Sequence, residues 1–117
     1  MPFSENREFA LRVVGESFYQ ENLRRLCGSS EDHMRQLAAT AILTLEFNNP
    51  KDRNAVRVDV RGYTVGHLSR SDAKVFRSTY GGHDGDQFEC DAVLISLRGG
   101  QVCDYGVRLH IPSLKRL

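Results

Sequence analysis

Alternation of hydrophobic and polar side chains is clearest near the middle of the chain. Val56, Val58 and Val60 alternate there with Arg57 and Asp59. A period of two residues is typical of a strand that buries one face and exposes the other. We therefore predict a half-buried strand over residues 56–60.

Turn-forming residues surround this strand on both sides. After it, Arg61–Gly62 predicts a tight reversal into a strand at Tyr63–Leu68, because Gly adopts positive φ without steric cost. Before it, Pro50 disfavours helical backbone at Asn49, and Asn and Asp side chains hydrogen-bond nearby backbone groups. Asn48–Asn54 should therefore be a structured loop, of the kind that carries binding residues on a β scaffold. From spacing alone, a loop that merely connects two strands is equally compatible.

The same patterns predict the remaining elements. Further strands are predicted at Phe9–Val14, Ala41–Phe47, Phe88–Leu97 and Asp104–Ile111. Helices are predicted at Ser17–Cys27 and from Ser69 onward, the latter packed through Ala73, Val75 and Phe76 and ended by Gly81–Gly85. The less regular segments are Met34–Ala39, read as a short helix or a loop, a turn at Arg98–Gln101, a strand end at Pro112 and a frayed tail at Leu114–Leu117.

Five or six strands with short helices and no βαβ rhythm indicate a mainly β fold. We expect a small antiparallel barrel or half-barrel with two or three short helices. The chain has 117 residues, a length suited to one domain, and its 40% hydrophobic content argues against disorder. No run approaches the roughly 18 apolar residues of a membrane span, and residues 1–7 lack a secretory apolar segment. These features predict a cytoplasmic protein without a membrane partner.

Metal, cofactor and catalytic patterns are missing from the sequence. Cys27, Cys90 and Cys103 include no CxxC pair, and the four histidines include no helical i, i+4 pair, so we expect no metal and no cofactor. Thiols are the expected state of the cysteines, although a Cys90–Cys103 bridge between adjacent strands stays possible. No G-x-S-x-G elbow, phosphate-binding loop or dinucleotide fingerprint is present. We therefore expect a binding module rather than an enzyme.

Charge is distributed unevenly, although the formal net charge is only +1. Between residues 51 and 77 there are three acids and seven basic residues, the latter being Lys51, Arg53, Arg57, Arg61, Arg70, Lys74 and Arg77. This local excess predicts a small basic patch able to neutralise a few phosphates. An ordinary solvated surface of mixed charge is the other interpretation.

Three segments, in order, resemble the HIRAN domain family. They are VVGESFYQ at Val13–Gln20, NNPKDRNAVRV at Asn48–Val58 and VGHLSRSDA at Val65–Ala73. Tyr105–Leu109 is similar to the closing strand of bacterial members, and the resemblance covers about Phe9–Pro112 of one domain over residues 1–117. HIRAN domains occur at the front of eukaryotic fork-remodelling DNA translocases and in small bacterial proteins. The resemblance implies an OB-like barrel that binds single-stranded DNA or DNA 3′ ends, with a role in repair or replication.

The resemblance also implies roles for individual residues. Phe18, with Tyr19 beside it, matches the first base-stacking aromatic, and Asp52 matches the carboxylate that binds the terminal 3′-hydroxyl. The other matching positions are Asn49 as a polar loop partner, and His67 and Arg70 as phosphate-facing residues. Lys51 replaces the family's second aromatic, and Ser17 stands where some members have a basic residue.

These departures leave alternatives open. A stacked base is worth about 1–3 kcal/mol, so loss of one aromatic weakens binding, while Lys51 offers a phosphate contact instead. Phe18 could also be a core residue, and His67 could face inward and be satisfied by backbone groups. The sequence thus allows a DNA-end-binding module or, alternatively, a protein-interaction domain that keeps the fold without binding DNA.

Overall fold

One antiparallel sheet of six strands forms the body of the protein. The computed structural model describes residues 11–27, 34–46, 49–99 and 102–117. The strands lie in the order β1-β6-β5-β2-β3-β4. Their bounds are β1 Leu11–Arg12, β2 Met34–Leu45, β3 Val56–Val60, β4 Tyr63–His67, β5 Gln87–Gly99 and β6 Val102–Arg116. A 3₁₀ turn at Glu16–Tyr19 leads into helix α1, Gln20–Cys27, and helix α2 spans Arg70–Tyr80.

The sheet curls into a half-barrel whose two edges meet. After β1, the N–H of Val14 donates to the carbonyl of His67 over 2.8 Å, and the N–H of His67 donates to the carbonyl of Val14 over 3.0 Å. Gly66 makes this approach possible: a Cβ there would lie 2.5 Å from the Val14 oxygen and closer still to Val13 Cγ1. The predicted mainly β fold, a small antiparallel barrel of five or six strands, is confirmed.

The core lies on the concave side of the sheet. Val56, Val58 and Val60 are fully buried, as their alternation predicts, and β3 pairs with β2 so that Leu43 lies opposite Val58. Leu45 is buried opposite Val56. Apolar burial of this kind is the main source of folding free energy.

The β3–β4 reversal has the backbone that its sequence requires. Arg61 has φ 51° and Gly62 has φ 84°, both in the left-handed region. Two successive left-handed residues are typical of the two-residue turns that match the twist of a hairpin. The predicted reversal is confirmed.

Residues 34–39 form part of a strand, so the prediction of a short helix or loop there is wrong. Strand β2 runs continuously from Met34 to Leu45 and pairs with β5 from Met34↔Leu97 to Thr44↔Gln87. Alanines at 38, 39 and 41 favour a helix locally, but Leu37 and Ala39 point toward the core in step with Ala41. Pairing with β5 therefore overrides the local preference.

Helix α2 begins and ends as predicted, but it packs through a different face. Ser69 is the N-cap and accepts a hydrogen bond from the Asp72 N–H through Oγ. Ala73 and Phe76 are buried, whereas Val75 is 62% exposed. Adjacent helical residues differ by about 100° around the axis, so Val75 turns away from the core when Phe76 faces it. The prediction that Val75 packs inward is wrong.

Strand β6 passes Pro112 and extends to Arg116, so the predicted strand end and frayed tail are wrong. Between the pairs Asp91↔His110 and Glu89↔Lys115, one residue of β5 lies opposite four residues of β6, and Pro112 lies in the resulting bulge. A proline is tolerated there because the bulge needs no N–H donor at that position. Ser113 Oγ instead accepts the Asp91 N–H over 2.7 Å. The tail is held further by Arg116, whose guanidinium lies 4.8 Å from the Phe88 ring centre.

Some predicted boundaries lie elsewhere or outside the described residues. Arg98 and Gly99 belong to β5 rather than to a turn, and Gly100–Gln101 lies outside the described residues, as do Phe9, Phe47 and Asn48. The backbone of Cys103 pairs with Arg98, eight positions from Cys90, or about 26 Å along a strand. This register excludes the Cys90–Cys103 bridge. Across the described ranges, no helix is long and apolar enough to cross a membrane.

Because Gly66 lies where the half-barrel closes, we expect alanine substitutions at Gly62 and Gly66 to lower the free energy of unfolding by different amounts. Gly62→Ala meets no atom within 4 Å and carries only the left-handed strain of φ +84°, about 1–2 kcal/mol. Gly66→Ala adds a clash with Val13 and Val14, so we expect a further loss of about 2 kcal/mol or more in the free energy of unfolding. Urea unfolding of both variants measures the difference. Equal losses would contradict the role of Gly66 in closing the sheet.

Candidate nucleic-acid interface

The loop before β3 is ordered by its own side chains. Asn49 Oδ1 accepts the N–H groups of Lys51, over 2.9 Å, and Asp52, over 3.1 Å. Asp52 Oδ1 accepts the N–H of Asn54 over 2.9 Å. These are the side-chain turns that Asn and Asp form with backbone two or three residues ahead. The loop is structured, as predicted, and the side chain of Lys51 is exposed on it.

Helix α2 holds this loop through two arginines. Arg70 Nη2 donates to the carbonyl of Lys51 over 3.0 Å. Two turns further on, Arg77 donates to the Asn54 carbonyl through Nε over 3.1 Å and to the Ala55 carbonyl through Nη2 over 3.2 Å. The helix therefore follows the loop from one end to the other.

Arg77 also links the loop to its surroundings. Its Nη2 donates to the Glu46 carbonyl over 2.7 Å, and its Nη1 contacts the carboxylate of Asp84 over 2.8 Å. One half-buried guanidinium thus satisfies three backbone carbonyls and one carboxylate. Hydrogen bonds from charged groups are the stronger ones in proteins. Arg77 is the main connection between loop, helix and the segment after the helix.

Phe18 is exposed on a well-anchored turn. It is 85% exposed, so it is not a core residue. Gln20 fixes the turn by donating through Nε2 to the Tyr105 carbonyl, over 3.3 Å, and by accepting the Tyr105 N–H through Oε1, over 3.2 Å. Glu16 Oε2 accepts the Val107 N–H over 2.8 Å. The backbone under Phe18 is therefore tied to β6, although its ring is open to solvent.

Burial shifts the ionisation of the Glu16 anchor. Burial raises the pKa of the Glu16 carboxyl above its ordinary value, while the Val107 hydrogen bond and the charges of Arg12 and Arg108 oppose that rise. The carboxyl side chain comes close to β6 because Gly106 has no Cβ; one built there would lie 3.2 Å from Glu16 Oε2.

Tyr19 and His67 form a second group next to the loop. Their ring centres are 6.3 Å apart, and His67 Nε2 lies 2.6 Å from Glu46 Oε1. His67 is half-buried and bonded to a carboxylate, so the alternative of an inward histidine satisfied by backbone is wrong. Glu46 in turn donates its N–H to the Ala55 carbonyl over 2.9 Å, which joins this group to the loop.

The predicted site residues therefore fall into two connected groups and one separate residue. One group contains Asn49, Lys51, Asp52 and Arg70, and the other contains Tyr19 and His67. Phe18 contacts neither group through its ring, but it is adjacent to Tyr19 in the 3₁₀ turn.

Of the residues that organise this region, the sequence analysis misses Glu46 and names Arg77 only as a member of the basic patch. The sequence contains a feature that singles out each of these two residues. Glu46 is a lone acid in an apolar stretch directly before the loop, and Arg77 lies seven positions after Arg70 on the same helical face. Neither position identifies the partner that matters for the loop, because the Glu46–His67 contact and the Arg77–Glu46 contact join residues more than 20 positions apart.

Metal ligands and thiols are the remaining reactive side chains of the described residues. Within the described ranges, no three His, Cys, Asp or Glu side chains cluster so as to hold a metal ion. Burial raises the pKa of the Cys90 thiol to about 12, so it stays protonated at neutral pH.

A curled sheet with a fixed polar loop and an exposed aromatic at one end is the arrangement of a small β-barrel binding module. The family model for the HIRAN domain matches residues 7–111 of the 117, and the chain belongs to the HIRAN domain family. HIRAN is a family of DNA-binding rather than catalytic domains. No curated protein and no solved structure gives a significant match to the chain.

The Arg77 contacts predict a local effect on loop opening. Arg77→Met removes its hydrogen bonds to the Asn54 and Glu46 carbonyls and the second donor of the Ala55 carbonyl, so the amides of Lys51, Asp52 and Asn54 should exchange faster with solvent deuterium. Arg116→Met is the matched control, because Arg116 also binds a carbonyl and a carboxylate, Tyr80 and Asp86, but not the loop. NMR measures the amide exchange rates of the loop in Arg77→Met and Arg116→Met, under conditions that give both variants the same global stability. Similar loop exchange in both variants would show that Arg77 does not hold the loop.

Proposed function

We propose that this HIRAN domain binds single-stranded DNA and recognises its 3′ end. The observation that carries the proposal is Phe18, an aromatic ring 85% exposed on an anchored turn. Apolar rings are normally buried, and an exposed ring on fixed backbone provides a stacking face for a base. The resemblance assigns this stacking role to the same residue.

Asp52 is the proposed ligand of the terminal 3′-hydroxyl. Its Oδ1 accepts the Asn54 N–H, whereas Oδ2 has no hydrogen-bond partner among the described residues. A carboxylate oxygen accepts a hydroxyl donor but repels a phosphate. One oxygen would therefore keep the loop in shape while the other distinguishes a 3′-hydroxyl from a 3′-phosphate.

Three further residues provide contacts for phosphates and polar groups in this proposal. Arg70 uses one nitrogen on the Lys51 carbonyl, which leaves its other donors available to a phosphate. The Lys51 ammonium is exposed beside it. His67 keeps Nδ1 for a ligand while Nε2 bonds to Glu46, and Asn49 acts mainly by shaping the loop.

The occurrence of HIRAN domains in fork-remodelling translocases supports a role in DNA repair or replication, where exposed 3′ ends arise. The alternative of a protein-interaction domain without DNA binding draws on Lys51, which replaces an aromatic. A buried Phe18 would favour that alternative, and Phe18 is exposed. DNA-end binding is therefore the better supported function.

End recognition makes Asp52→Ala a selective variant. We expect it to remove the preference for a 3′-hydroxyl over a 3′-phosphate while keeping measurable affinity for both strands, because one repelling charge has gone. Fluorescence anisotropy with labelled strands carrying 3′-hydroxyl, 3′-phosphate and blocked ends, at two salt concentrations, measures this. Asp91→Ala, which removes an exposed carboxylate on β5, should keep the preference. A wild-type protein indifferent to the 3′ group would rule out end recognition.

Stacking makes two substitutions act in opposite directions. Phe18→Ala should weaken every single strand by a similar amount, about 1–3 kcal/mol, because stacking tolerates any base. Lys51→Tyr should strengthen binding and reduce its salt dependence, since a stacking face replaces an ionic contact. Tyr63→Ala is the control for loss of a partly exposed aromatic outside the site. The same anisotropy assay measures these affinities. Unchanged affinity in both Phe18→Ala and Lys51→Tyr would contradict the DNA-binding proposal.

A further inference from the structure

Four cations along the loop and helix α2 lack ion-pair partners within the described residues. They are Lys51, Arg53, Arg70 and Lys74, and we refer to them as the loop–helix strip. All four side chains are exposed. Other basic side chains are neutralised by acids, among them Arg24 by Glu21, Arg57 by Asp59, Lys115 by Glu89 and Arg116 by Asp86.

The strip is continuous because the helix runs beside the loop. Arg70 bonds to the carbonyl of Lys51 at one end, and Arg77 bonds to that of Asn54 at the other. Lys74 is four residues beyond Arg70, about 6 Å along the helix axis, and lies between these two contacts. At about 100° per residue, Lys74 lies within about 60° of Arg70 and Arg77, the two arginines that contact the loop.

The two acids nearest the strip, Asp52 and Asp72, offset only part of the charge of its four cations. Asp52 is half-buried and engages the Asn54 N–H. Asp72 lies on the helix about 160° around the axis from Lys74, with Ala73 and Phe76 buried on a third side. A row of exposed cations with few competing acids favours an extended polyanion over a single small anion.

We infer that the loop–helix strip is a track for the sugar–phosphate backbone of single-stranded DNA, in which Arg53 and Lys74 bind phosphates beyond the terminal nucleotides. This inference rests on the proposed function and enlarges its footprint from the 3′ end to about four to six nucleotides. The strand would enter along the helix and end at Asp52.

The test is a length and salt series with two variants. Labelled 3′-hydroxyl oligothymidylates of two, four, six and ten nucleotides should bind wild type with affinity that rises up to about six nucleotides and then levels off. Arg53→Gln and Lys74→Gln should each weaken the ten-nucleotide strand about twofold to fivefold and leave the dinucleotide unaffected. Each should also lower the slope of log affinity against log salt by about 0.7, the value for one phosphate on a single strand.

Arg61→Asn is the matched control for loss of one exposed arginine. Arg61 follows the far end of β3, about 16 Å from Val56 and the loop, and Asn tolerates its positive φ. The control should keep the wild-type slope. Affinity that does not depend on length, or slopes that are equal in Lys74→Gln, Arg53→Gln and Arg61→Asn, would overturn the track.

The failure of the track is distinguishable from the failure of end recognition. If length dependence is absent but Asp52→Ala still removes the 3′-hydroxyl preference, the track is wrong and end binding stands. If the strip variants lower the salt slope while no 3′ preference exists in wild type, the track stands and the end-binding proposal is wrong.

Discussion

The pair of backbone hydrogen bonds between Val14 and His67 is the constraint on which the rest of the structure depends. It joins the two edges of the sheet and sets the 3₁₀ turn beside β4. Tyr19 thereby comes next to His67, and Phe18 is presented at the same end of the half-barrel. Only a residue without a Cβ fits at Gly66, so a single glycine links closure of the fold with assembly of the candidate site.

A second level of organisation places the polar loop against this closed sheet. Asn49 and Asp52 shape the loop, but helix α2 positions it, because Arg70 and Arg77 bond to carbonyls of the loop backbone rather than to loop side chains. Contacts to carbonyls do not depend on the identity of the loop residues. Side chains such as Lys51 can therefore change between family members while the loop backbone keeps its place.

Local signals predict the β3–β4 hairpin and the start of α2 correctly, because alternation, a Gly-containing turn and the Ser69 cap act over a few residues. Prediction from the local sequence fails where pairing with a distant strand determines the secondary structure. Met34–Ala39 has helix-favouring alanines but becomes a strand through β5, and Pro112 is accommodated by a bulge that the sequence does not reveal. For the candidate site, turn chemistry predicts the ordered loop correctly, and the roles of its residues remain a prediction from the family resemblance. The Glu46–His67 and Arg77 contacts join groups 21 and 31 residues apart, and no local pattern encodes them.

The half-buried carboxyl of Glu16 has a consequence for behaviour in acid. Burial raises the pKa of this carboxyl in the folded protein above its value in the unfolded chain. At a pH between these two values, folding is therefore accompanied by proton uptake. The stability that this carboxyl contributes is therefore full at low pH and declines as the pH rises through its folded pKa. Either protonation state has an oxygen that can accept the Val107 N–H. The turn that presents Phe18 is thus anchored by a group that tolerates acidification, whereas the ion pairs of Arg77 with Asp84 and of Arg116 with Asp86 require ionised carboxylates.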